Sequence, residues 1–315
     1  MQLARLFLLM AALAATGLLG LSAARADDWD SCKDDKIAPE AAVSACGRAI
    51  NSKRFRGPDL SKLYYNRAIS YRQQGQLDQA IIDYTEAIKA DPKYEKSYNN
   101  RGVVWKDKGD LDKAIADYTE AIKLKPDYAF ALTNRADIYD DRGESDKALA
   151  DLDQAIRAEP GYARAYNVRG LVWKKKGNLD RALADFNNAI RIDPKYHFAY
   201  SNRGLVWQEK GDFDRAIADF GEVINLDPKS DVAFMRRALA WIKKGDSLAA
   251  LRDVDHAVML DPNDPSNLMT RGAVMKALNR TSDAILEYRK AIQLRPDAER
   301  RKEAEQALLE LGVQP

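Results

Sequence analysis

What most limits this 315-residue chain is a period that never slips. Pro92, Pro126, Pro160, Pro194, Pro228, Pro262 and Pro296 stand 34 residues apart. So do Gly75, Gly109, Gly143, Gly177, Gly211 and Gly245, with Asn279 in the seventh place, and so do Ala80, Ala114, Ala148, Ala182, Ala216, Ala250 and Ala284. Seven gapless repeats follow: 61–94, 95–128, 129–162, 163–196, 197–230, 231–264 and 265–298. Self-similarity at such an interval means one supersecondary element made many times, each copy burying its apolar face against its neighbours.

With Ser61 as position 1, each repeat carries an apolar or aromatic residue at 4, a small one at 8, usually an aromatic at 11, Gly at 15, Ala at 20 and Ala at 27. The spacings 4, 8, 11 and 20, 24, 27 are two helical stripes, with Gly between them where a left-handed C-cap is wanted. Proline at 32 lacks the amide hydrogen a continuing helix requires, so it ends the second helix. The small residues at 8 and 20 let two antiparallel helices approach closely, and the position-11 aromatics, such as Trp105, Trp173 and Trp207, are expected to fill the space beside that contact.

This pattern resembles the tetratricopeptide repeat and covers about three quarters of the chain. The resemblance implies an all-α, right-handed α-solenoid of seven helix-turn-helix repeats, whose first helices line a concave surface for proteins or peptides. Departures are Met275 and Asn279 in the last repeat, and Val223 and Val254 in the fifth and sixth.

A solenoid needs covers at its ends. Residues 299–315 read as a capping helix and tail, with Leu308, Leu309 and Leu311 as its apolar remnant. In 27–60, Pro39 to Ser52 reproduces a second helix, with Ala42, Cys46, Ala49 and Ile50 in core places, so this segment is a half-repeat cap. Ahead of it, Arg5 precedes an apolar run from Leu6 to Leu21 and a small-residue motif Ala24-Arg25-Ala26. Residues 1–26 therefore read as a cleaved export signal, which places the mature chain in a periplasm or outside the cell with no membrane span. In such a compartment Cys32 and Cys46 are expected to form a disulfide stapling the cap.

Positions 2, 5, 6, 9, 12 and 13 of the first helix lie opposite the packing stripe. Asn66, Asn100, Asn134 and Asn202 at position 6, with Asn99 and Asn167 at 5, form a row of carboxamides. It reads either as a grip on the backbone of an extended peptide or as amides serving their own turns. Lys62, Lys96, Lys106, Arg164, Arg72, Lys174 and Lys175 make this face mildly basic, interrupted by Asp137, Asp140 and Asp141, so acidic partner segments are favoured. Towards the C-terminus Val232, Met235, Leu239 and Ile242 turn it apolar, as a partner pocket or as inward packing.

Arg recurs at position 7 in every repeat and an acid at 23, as in Arg135 with Asp151 and Arg169 with Asp185. An arginine bordering the core needs a counter-ion, so these read as structural ion pairs, with a row of anion-binding arginines as the alternative. No nucleophile motif, phosphate loop or metal-ligand set appears, and His197 and His256 have no companion residues. No catalytic residue, metal or cofactor is expected. Beyond residue 26 the chain holds 48 basic and 48 acidic residues, without the positive field that draws nucleic acid. Two functions stay open: a scaffold binding an extended segment of an envelope or secreted protein, or an assembly subunit docking through its convex face.

Overall fold

The computed structural model describes residues 28–34 and 36–314. The export signal and its cleavage point lie outside them. Every regular element among the described residues is a helix. None is long and apolar enough to cross a membrane. The described residues divide into two compact units, the first ending at Glu159 and the second beginning at Pro160.

In the N-terminal unit a short helical segment over 28–33 precedes Pro39–Asn51, and three hairpins follow: Gly57–Gln73 with Leu77–Ala90, Glu95–Asp107 with Leu111–Leu124, and Ala129–Asp141 with Ser145–Ala158. The C-terminal unit holds four: Ala163–Lys175 with Leu179–Ile192, His197–Glu209 with Phe213–Leu226, Asp231–Lys244 with Ser247–Leu260, and Pro265–Ala277 with Thr281–Gln293. Ala298–Glu310 packs on the last. Each unit is a stretch of α-solenoid in which every helix packs on the next. The position-15 residues all take positive φ, and Asn279 at +59° holds the conformation that glycine holds elsewhere.

The position-11 rings pack beside the close helix contact, Trp105 against Ala114 and Trp173 against Ala182, and a second ring enters the contact itself. A Cβ on Gly170 would lie 2.6 Å from Phe186, and one on Gly204 would lie 2.8 Å from Phe220. Gly102 and Gly272 meet Tyr118 and Tyr288 in the same way. It is the ring at position 24, not position 11, that enters the notch left by the glycine. Where position 8 is Ala136 or Ala238, position 24 shrinks to Leu152 or Val254, which offsets the added methyl, whereas the first repeat keeps Tyr84 packed with Ala68. The position-11 rings stay half-buried at the edge, and three are covered by a cation from position 19: Lys113 over Trp105 at 4.4 Å, Arg181 over Trp173 at 4.5 Å and Arg215 over Trp207 at 3.6 Å.

At the N-terminal end Cys32 and Cys46 are joined in a disulfide. They pack with Ala49 and Leu63, flanked by Trp29, Ile50 and Phe55. At the other end the terminal helix inserts Ala304 and Leu308 against Met275, Ala284 and Tyr288. Leu309 is 49% exposed. The sequence expectation that Leu309 belongs to the buried face is corrected, because the helix turns its 304/308 edge inward.

Candidate functional site

The position-7 arginines are consumed. Arg67, Arg101, Arg135, Arg169, Arg203 and Arg237 each donate Nε and Nη2 to both oxygens of the acid 16 residues later, as in Arg135 to Asp151 at 2.8 and 2.8 Å and Arg169 to Asp185 at 2.9 and 2.7 Å. Nη1 reaches back to position 25 of the preceding repeat: Arg101 to Thr85, Arg135 to Thr119 and Arg203 to Asn187. One guanidinium thus ties three helices. Arg271 differs, giving Nε to Asp255 and Nη1 to Glu287. Burial raises Asp83, Asp117 and Asp219 above the usual carboxylate range, opposed by the hydrogen bonds from their arginines.

The carboxamides bond one another at an offset of 35 residues. Position 6 of one repeat reaches position 5 of the repeat before: Asn134 Nδ2 to Asn99 Oδ1 at 3.0 Å, Asn202 Nδ2 to Asn167 Oδ1 at 3.0 Å, and Asn100 Nδ2 to the Tyr65 hydroxyl at 2.9 Å. Asn99 closes the relay by donating to Asn100 at 2.9 Å. Asn99, Asn134 and Asn167 are buried. Asn66, Asn100 and Asn202 are half-buried. Burial, aided by the neighbouring Tyr94, pushes Tyr65 up to about 12.

Several cations of this face are neutralised from the next repeat, Arg72 by Asp107, Lys106 by Asp137 and Lys174 by Glu209. Lys62 lies 3.9 Å from Asp59, Arg164 meets the Tyr162 hydroxyl, and Lys96 is exposed. The expected basic character is therefore mostly internal pairing, a consequence of a register that sequence spacing within one helix does not display.

Clefts open on first helices in both units, and a small one of about 90 Å³ beside the N-terminal cap takes in Asn66. In the N-terminal unit one of about 360 Å³ lies among Ile69, Arg72, Gln73, Tyr84, Asn100 and Asp107. In the C-terminal unit one of about 350 Å³ is lined by Met235, Leu239, Met269, Thr270, Ala273 and Tyr288, and closed by Arg300, Glu303 and Ala307 of the terminal helix. Met235 and Leu239 are brought together as the sequence suggested. Tyr84 and the terminal-helix residues were missed, since Tyr84 occupies a core position and the terminal helix lies outside the period. His197 lies tilted against Phe198 with ring centroids 4.1 Å apart, and His256 against Phe234 at 4.3 Å. Among the described residues no group of three or more His, Cys, Asp or Glu could hold a metal ion.

Sequence models of the tetratricopeptide repeat match residues 61–94, 95–128, 133–197 and 197–230. No curated protein matches the sequence. Among solved structures, a tetratricopeptide repeat protein from Parabacteroides merdae is 22% identical, with a TM-score of 0.61 over 79% of this chain and 98% of that one. The type IV pilus biogenesis factor PilW is 20% identical, with a TM-score of 0.61 over 66% and 96%. A monomeric IFIT1 mutant with Gppp-AAAA is 15% identical, with a TM-score of 0.65 over 86% and 68%. These likenesses concern the fold.

Proposed function

Because the chain belongs to the tetratricopeptide repeat family, we propose that it is an exported, non-enzymatic interaction scaffold that holds an extended segment of an envelope or secreted protein along its first helices. The observation carrying this reading is that both larger clefts described above are lined by first-helix positions outside the packing stripe, Asn100 in one unit and Met235 with Leu239 in the other. Half-buried carboxamides offer donors and acceptors to a peptide backbone whatever its side chains. The buried disulfide suits an oxidising compartment. The position-7 arginines are already matched by acids, which supports a structural role for them. Protein is preferred to RNA because basic and acidic residues balance beyond residue 26.

A second reading draws on second-helix residues. Leu248 and Met259 are 65% and 67% exposed, apolar side chains that a docking partner could cover. Photo-crosslinking in living cells separates the two. A photoreactive residue at Lys96 or Phe198, on first helices, is expected to trap a defined protein segment, whereas one at Met259 or Leu286 is not. Trapping only from Met259 and Leu286 refutes the first-helix reading, and nuclease-sensitive adducts refute a protein ligand.

A further inference from the structure

Arginines on the first helices of the C-terminal unit are compensated at position 7, where Arg203 and Arg237 each hold an aspartate through two hydrogen bonds. Arg236, one residue earlier, is not. It stands at position 6, where the other repeats carry Asn, Val or Thr. Arg236 is half-buried, its Nη1 donates to the Ser201 hydroxyl, and among the described residues no carboxylate forms an ion pair with it. Burial lowers its pKa with no acid acting in the other direction. Arginine stays charged in proteins, so the side chain keeps a desolvated cation without an internal counter-ion.

On the same helix Met235 precedes Arg236 and Leu239 follows one turn later, and both line the C-terminal cleft with Met269, Ala273 and Tyr288. Its volume, about 350 Å³, sits at the small end of ligand pockets, roughly 300–1,000 Å³. The terminal helix supplies the remaining wall, with Arg300, which is paired with Asp297, and the carboxylate of Glu303, so that the free positive charge on this helix face comes from Arg236 and not from the wall. The 34-residue motif alone does not make this cavity.

We infer that the cleft is an anchor pocket for a bulky aliphatic side chain of a partner segment, and that Arg236 receives the carboxylate of an Asp or Glu near that anchor in the same segment. This rests on the first-helix reading and narrows it. An apolar anchor gives retention, and the neighbouring acid gives selectivity, because a partner with Asn or Lys there leaves the cation unpaired or repelled.

The test uses the full chain with its methionine methyl groups labelled for NMR. The probes are ten-residue Gly/Ser peptides with one Leu and one Asp, one to three residues apart, and matched peptides with Asn or Lys for Asp, or Ala for Leu. The Met235 and Met269 signals are expected to shift and that of Met259 to stay. Asp peptides should bind about tenfold more tightly than Asn peptides, and Ala-for-Leu peptides more weakly. In Arg236→Gln the Asp preference falls to about one while the Leu preference survives, and the melting temperature rises by about 2–4 °C as the uncompensated cation is removed. Unmoved Met235 and Met269 signals, Lys peptides binding as well as Asp peptides, or an Arg236→Gln variant that melts lower with its preference intact would overturn the inference. Unmoved signals alongside successful crosslinking from Lys96 or Phe198 remove the pocket and leave the general reading standing.

Discussion

Gly170→Ala tests the helix contact on which every repeat depends. In an open helix this change stabilises by about 1 kcal/mol, because alanine is the better helix former. At Gly170 the new methyl lands 2.6 Å from one ring carbon of Phe186 and 2.9 and 3.0 Å from two more, well inside the ~3.5–4.0 Å of ordinary carbon contacts. Phe186 is wholly buried, so the ring cannot retreat into solvent. Overpacking of this kind costs about 1–3 kcal/mol and more when backbone must move. A ring with no solvent to retreat into puts the cost in the upper part of that range, about 2–3 kcal/mol, which leaves a net loss of about 1–2 kcal/mol after the propensity gain. Phe186→Leu alone should lose about 1 kcal/mol through the cavity it opens. The double variant reproduces the Ala136/Leu152 pair of the third repeat, so it should lie within about 1 kcal/mol of wild type, a coupling of about 2 kcal/mol. Urea unfolding followed by circular dichroism reads the global change. Amide exchange over 163–192 reads the local one, since repeats couple mainly to neighbours. A Gly170→Ala protein as stable as wild type, or a double variant whose losses simply add, would refute the volume-matching account.

Gly221→Ala should instead stabilise by about 1 kcal/mol, because its new methyl meets only Arg237 Nη1 at an ordinary 3.5 Å; chemical denaturation checks the sign. Asp151→Asn leaves Arg135 without its buried charge partner and should cost about 3 kcal/mol, while peptide binding measured by NMR under native conditions stays unchanged. Cys32→Ser should loosen the cap by about 3 kcal/mol, seen as faster amide exchange over 39–51. Tyr65 and Tyr288, each pushed up to about 12, should remain protonated at pH 11 in ultraviolet titration. A pKa raised on folding means that the stability is fully present below the unfolded value near 10 and is lost as pH climbs towards 12. An alkaline melting series on Tyr288→Phe should show a smaller loss.

The Arg and acid at 7 and 23 were legible because both repeat in every copy, and a recurring charge beside a core stripe demands a recurring partner. The carboxamides were legible as a row and misleading in their availability. Asn99 and Asn134 look alike in sequence, yet the 35-residue offset between successive first helices turns one amide onto the other. The same offset hides Asp107 as the partner of Arg72. Ala304 and Leu308, the inward residues of the terminal helix, carry no periodic signal because no further repeat follows to set their phase.

The sequence by itself determined the helical hairpins, their turns and the seven-fold spacing, since these follow from local sterics: residues three and four apart share a helix face, and a left-handed turn admits Gly or Asn. Only the tertiary structure decided which ring fills the position-8 notch, which cations are already neutralised, and that Arg236, next in the chain to the cleft residue Met235, is not among them. Those outcomes depend on the angle and register at which one hairpin lies on the next, quantities set by packing many side chains at once and written in no single stretch of residues.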